Sequence, residues 1–317
     1  MSHLFCLTSG FFEPLYMKLS DITKGYLWTL IGILAVSNVY IFSKVALNSI
    51  AIMQFGFYWF GFGLIWNIVF LNKRISIKKI KEAIQQSFKL YLVIGLLEII
   101  ATTSFFYAIM TIENPSVTSF LGNLSPIFVT ILGVIILKER FNYIEIIGVF
   151  LTLSGAFIIS FKSNTSLSQV FLNGTQYVLL STSIFSINTI IVKKNIKKLT
   201  PSLLSLNRGV FIFVFSIFIM LVTKQDIHIP KDALLAITIG SLLGPFLTVI
   251  AGYNALQYIE ASKRSILSSS KSLFVLLGAY LYFGKFPMEY QIIGGVFTVF
   301  GVLLISFGKL ILKKRKH

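Results

Sequence analysis

The chain has 317 residues, 56% hydrophobic and 12% charged, with a formal net charge of +17. Its mean hydropathy of +0.84 excludes a soluble globular domain, because a chain of this length cannot bury so much apolar surface in its own core. One cysteine, Cys6, and three scattered histidines, His3, His228 and His317, exclude an intrachain disulfide framework and a thiolate or imidazole metal cluster.

Apolar runs of about 20 residues, the length at which a helix crosses a bilayer, occur near 25–47, 50–71, 88–110, 114–137, 142–161, 171–192, 200–223, 233–254, 262–283 and 288–307. They are too long and alternate too little to be barrel strands. Lipid also leaves each backbone polar group to be satisfied within its own segment. The expected fold class is an all-α integral membrane protein with ten transmembrane helices. Residues 1–24 read as a cytoplasmic tail rather than a signal peptide. The apolar stretch from Leu4 to Leu7 is short, follows no basic residue and precedes Glu13 and Pro14; Met17 is a second candidate start.

Charge gathers on one side of these spans. With the N-terminus in the cytoplasm, the outer loops hold only Lys162, Lys224, Lys231 and Lys285, so both termini are expected to be cytoplasmic. The basic tail 309–317 reads as an anchor on anionic headgroups. Membrane lipids are therefore expected partners, and nucleic acid is not. The lysine-rich, arginine-poor composition suggests a bacterial source, and with it the cytoplasmic (inner) membrane.

In chain order, the polar residues inside the spans are few. Span 1 carries Asn38, a candidate cavity residue, and Lys44, which reads as a snorkelling anchor; they recur six residues apart as Asn188 and Lys194 in span 6. Span 3 carries Glu98 midway, between Gly95 and the pair Ala101 and Thr102, followed by Phe105, Phe106 and Tyr107, which read as packing. In span 4, Ser119, Asn123, Pro126, Thr130 and Gly133 share one face, and Pro126 frees a backbone carbonyl near midspan. Arg208 in span 7 reads as a tether for helix ends. Gly240, Gly244 and Pro245 in span 8 form either a hinge or a packing seam. Span 9 presents Arg264, Ser268, Lys271, Val275 and Gly278 on one face, with Arg264 close enough to the cytoplasmic end to snorkel. Tyr26, Trp28, Trp59 and Trp66 suit an interfacial belt.

Lys271 is the anomaly, because an ammonium at bilayer depth costs about 2.5–3.5 kcal/mol on insertion scales. Three readings stay open for it and Glu98. They form a fixed ion pair; or Glu98 is a proton-coupling carboxylate; or Lys271 meets the carboxylate and Glu98 the ammonium of a zwitterionic substrate.

The two halves echo each other. YAIMTIENPS (107–116) resembles NALQYIEASK (254–263). After a two-residue slip, PIFVTILGVIILKERF (126–141) runs beside KSLFVLLGAYLYFGKF (271–286), which sets Lys271 in the place of Pro126. IEIIGVFLTLSGAFIIS (144–160) matches YQIIGGVFTVFGVLLIS (290–306). Five spans per half turn the second copy, 171–308, upside down relative to the first, 25–161. Inverted repeats of this kind flank a midplane site in alternating-access transporters.

On these stretches, together with SN near Lys44 and PSLLSLNRG opening span 7, the chain resembles the ten-helix EamA-type members of the drug/metabolite transporter superfamily from about residue 24 to 308. The resemblance implies transport of small metabolites without ATP hydrolysis, often export of amino acids. It also implies a central cavity lined by the third, fourth, eighth and ninth helices. The family usually has proline at the Lys271 position, so the lysine is a departure. Glu139 matches a frequent family glutamate at a helix end and reads as structural, and Arg208 matches a common arginine early in the seventh helix.

The function expected is a secondary-active transporter of small polar metabolites, with Lys271, Glu98, Asn123, Ser119, Pro126, Ser268 and Asn38 as cavity candidates. No cofactor is expected beyond a coupling proton, and the chain is expected as a monomer or homodimer. A flippase for a phosphate-bearing lipid intermediate is the alternative. An intramembrane enzyme is disfavoured, because no nucleophile–base pair, acidic metal pair or intramembrane histidine occurs.

Overall fold

The computed structural model describes residues 19–71, 82, 84–112, 122, 124–160, 174–275 and 289–314. They form helices α1 (Asp21–Leu47), α2 (Ile52–Leu71), α3 (Phe88–Thr111), α4 (Leu124–Leu137), α5 (Tyr143–Ser160), α6 (Thr175–Lys194), α7 (Pro201–Val222), α8 (Lys231–Tyr258), α9 (Ala261–Ser268) and α10 (Glu289–Lys314), with no strand among the described residues. Six of them, α1, α2, α3, α6, α7 and α8, are long and apolar enough to cross a membrane. Apolar stretches in α4, α5 and α10 are shorter. The expected ninth span runs beyond Val275 and so lies partly outside the described residues. The flanks of the bundle are apolar, with Ile135, Phe150, Leu221 and Leu235 exposed, as lipid contact requires.

Local chemistry sets the ends. Ser20 caps α1 by accepting from the Thr23 amide at 3.2 Å, and Asp21 sits in the first turn, where the helix dipole favours a carboxylate. Asn142 and Glu145 cap α5 reciprocally: the Asn142 amide donates to the Glu145 carboxylate at 3.0 Å, and the Glu145 amide to the Asn142 side chain at 2.9 Å.

Helix packing reveals a pseudo-two-fold axis. α5 lies on α10, α2 on α7 and α4 on α9, while α1 with α8 is exchanged for α6 with α3. The α5–α10 seam shows the inversion directly. A Cβ on Gly148 would stand 2.8 Å from the Gly301 carbonyl oxygen, and one on Gly155 would collide with the Gly294 carbonyl. As one helix advances the other recedes, so the two are antiparallel. Gly148 and Gly155 are the repeat mates of Gly294 and Gly301. The same glycine face is thus used twice in opposite directions, and the halves are inverted repeats.

Candidate functional site

Between the repeats lies a cavity of about 270 Å³, lined from α1, α2, α3, α4, α6, α7, α8 and α9. Proline shapes two of its walls. In α8 the chain loosens into a π-helical turn, Leu242–Thr248, around Pro245, whose carbonyl accepts from the Ser205 hydroxyl at 3.1 Å. In α4, Pro126 lines the cavity and its carbonyl accepts from Thr130 at 2.7 Å; having no N–H, it also leaves the Gly122 carbonyl without the usual helical donor.

Glu98 is 2% exposed and fully engaged. One carboxylate oxygen accepts from the Asn188 amide at 2.7 Å and the Tyr253 hydroxyl at 2.9 Å; the other accepts from Thr102 at 3.4 Å. Arg208 Nε stands 3.3 Å from that second oxygen, an ion pair whose angle is too poor for a hydrogen bond, while another guanidinium nitrogen donates to Thr102 Oγ1 at 3.0 Å. Sequence reasoning offered Lys271 as the ion partner of Glu98 and tethered Arg208 to a helix end; among the described residues the paired cation is Arg208. The reason is helix proximity. Gly95 lets the Phe211 ring approach to 2.5 Å from where a Cβ would stand, which draws α7 against α3 and sets Arg208 beside Glu98.

Lys271 lies on the same cavity, just past the C-terminal end of α9. The amides of Ser269, Ser270, Ser272 and Leu273 each bond three residues back, at 3.0–3.2 Å, so the chain tightens as it leaves α9, where three serines and Lys271 follow one another. Serine hydroxyls that bond backward, as Ser270 does to Leu267, favour such turns. The Lys271 carbonyl accepts from Ser37 at 3.4 Å, and its Nζ lies 4.0 Å from a Cβ built on Gly122. The matching contact in the other repeat is Ser186 to the Ser125 carbonyl at 3.3 Å. The two-fold therefore sets Lys271 against Ser125, one residue from the Pro126 match read in the sequence.

Ser268 lines the cavity with its hydroxyl on the Arg264 carbonyl. Arg264 also faces the cavity rather than snorkelling, its guanidinium pressed on Gly252 of α8. Asn38 does not line the cavity, and its amide bonds the Leu34 carbonyl one turn back. Ser119 and Asn123 lie outside the described residues. Sequence reasoning missed Tyr253 and used Asn188 only as an echo of Asn38. A hydroxyl facing a mid-span acid was the available signal, but one sequence does not show which faces meet.

Charges at the helix ends are structural. Lys44 Nζ donates to the carbonyls of Ile109 and Ile112 at 2.8 and 3.3 Å, closing the end of α3. Lys193 does the same for α8 through Leu256 and Ile259 at 2.7 and 2.6 Å. Lys44 is therefore a helix cap rather than a snorkelling anchor, and its two-fold mate is Lys193, not Lys194. Lys138, at φ 55°, turns the chain out of α4 so that the Glu139 carboxylate accepts the Ala261 and Ser262 amides of α9 at 2.8 and 3.0 Å. Lys263 is buried against Glu145 at 2.5 Å.

Trp28 and Trp59, read as interfacial, are buried on the cavity instead, Trp59 against Gly240 and Gly244. Those glycines form its seat. Phe105 and Phe106 also reach the cavity, whereas Tyr107 stacks on Tyr177 at 5.5 Å. Among the described residues no group of three His, Cys, Asp or Glu side chains is placed to hold a metal ion.

Inverted helical repeats with apolar flanks, enclosing a charged cavity, define a multi-pass helical membrane protein. The sequence matches the EamA-like transporter family over residues 23–161 and 172–307, and the chain belongs to that family. An uncharacterized transporter of Synechocystis sp. is 20% identical over 220 residues, which cover 65% of this chain; the chain spans only 62% of that relative's length. A solved crystal structure, 13% identical, shares the fold with a TM-score of 0.71 over 88% of this chain and 98% of that one.

Proposed function

We propose that the chain is a secondary transporter that moves small polar metabolites, amino acids or related compounds, by alternating access of the cavity between its repeats. The observation that supports this is the clustering of Glu98, Arg208, Arg264, Ser268 and Lys271 around one cavity at the pseudo-two-fold axis, where midplane sites of inverted-repeat transporters lie. Intramembrane charges are costly enough that their convergence on a cavity favours a solute pathway. Pro126 and Pro245, one on each side, supply the irregular backbone such sites use. In this reading Lys271 and Ser268 contact the solute, and no cofactor takes part. Glu98 couples transport to protons, since its protonation removes the partner charge of Arg208. The protein works in a bacterial cytoplasmic membrane with both termini inside.

The test is uptake by proteoliposomes of purified protein, with and without an imposed pH gradient, against protein-free vesicles. Saturable uptake lost in Glu98→Gln or Lys271→Met supports the reading. Solute flux equal to that of empty vesicles for every compound contradicts it.

A further inference from the structure

Arg264 differs from the other charges placed around the bundle core. Glu98 is held by Arg208, Lys263 by Glu145, Glu139 by the first amides of α9, and Lys193 by the carbonyls ending α8. Arg264 reaches the cavity from α9 and rests in the notch left by Gly252, where a Cβ would stand 3.2 Å from its Cζ and 3.7 Å from its Nε. No carboxylate among the described residues lies within ion-pairing distance of it, and its guanidinium makes no hydrogen bond to them. A guanidinium facing a cavity with its donors unspent is a preformed fork for a planar oxyanion.

The charges on the described lining carry the argument further. Arg208 is spent on Glu98, and Arg264 faces no carboxylate among the described residues, so the balance there is cationic. Glu98 already accepts from Asn188, Tyr253 and Thr102 and faces Arg208, which leaves no uncommitted carboxylate on the described lining to welcome an ammonium. We infer that Arg264 receives the carboxylate or phosphate of the cargo, and that the cavity selects solutes of net negative charge. Within the class proposed above this favours acidic amino acids, keto acids and phosphorylated metabolites over neutral zwitterions and amines. Trp28, Val249 and Phe185 supply apolar wall for the body of such a solute.

The inference rests on the transport reading, and the test separates the two. Proteoliposomes carrying wild type, Arg264→Lys or Arg264→Gln would be assayed for initial uptake of labelled succinate, glutamate, glycerol 3-phosphate, alanine and putrescine. Each protein would first be checked for monodispersity. Wild type is expected to take up the anions at least tenfold faster than alanine or putrescine, and the better anion identifies carboxylate or phosphate as the recognised group. Arg264→Gln should abolish that preference, and Arg264→Lys should keep part of it by keeping the charge. Uptake of alanine or putrescine in preference to the anions leaves transport standing and overturns the inference, as does an unchanged preference in Arg264→Gln. If Arg264→Gln does not fold, the wild-type preference and the Arg264→Lys variant still decide. Uptake of none of the probes contradicts both readings.

Discussion

Removing the Arg208 charge isolates the energetics of the central pair. In Arg208→Met, Glu98 remains 2% exposed, held only by the Asn188 and Tyr253 hydrogen bonds and the long one from Thr102. Removing one partner of a buried ion pair costs about 3–5 kcal/mol, because the remaining charge is left uncompensated. Glu98→Gln should cost less, about 1–3 kcal/mol, since Arg208 is 19% exposed and keeps access to the cavity. The double variant, Glu98→Gln with Arg208→Met, buries no charge there, and its amide oxygen still accepts from Asn188 and Tyr253. It should be more stable than Arg208→Met alone, with a coupling energy above about 1 kcal/mol. Unfolding in detergent can be followed by tryptophan fluorescence, because Trp28 and Trp59 are buried on the same cavity. An Arg208→Met variant as stable as wild type, or strictly additive losses in the double variant, would refute the pairing.

Three further outcomes follow from the same geometry. Gly155→Val drives a side chain into the Gly294 carbonyl and should give aggregated rather than monodisperse protein by size exclusion, while Ile147→Val, on an exposed face of α5, should leave the elution profile unchanged. Glu139→Ala removes the acceptor of two α9 amides and should destabilise by about 1–2 kcal/mol, with faster hydrogen exchange at Ser262. Lys44→Met and Lys193→Met each free two helix-end carbonyls, so their thermal shifts should be similar, as the two-fold requires.

What could be read from the sequence follows from which constraints are local. The apolar runs show helices because lipid imposes backbone satisfaction on each segment separately. Gly148, Gly155 and Gly301 betray the inverted repeat, since close backbone approach tolerates nothing larger at those positions. Glu98 stands out as a mid-span acid. Its partner does not, because Arg208 reaches it through the fit of Phe211 on Gly95, a property of two helices together. Lys44 and Arg264 look like snorkelling residues when only depth along a span is known. Their direction depends on the neighbouring α3 carbonyls and on the Gly252 notch. Trp59 turns inward because Gly240 and Gly244, nearly two hundred residues on, make room for it. Lys271 stands one residue out of the register read in the sequence, at the serine turns that follow α9, where the other repeat has Pro126 inside α4.

The measurement that bears most directly on the account is the accessibility of a single cysteine in the cavity. Ser268 lines it with its hydroxyl bonded only to its own helix, so Ser268→Cys in a Cys6→Ser background preserves the packing. Sealed vesicles of either orientation would be treated with a membrane-impermeant maleimide. Alternating access predicts labelling from both sides, in separate experiments, with protection by a transported solute. Labelling from one side only under every condition, or from neither, would contradict it.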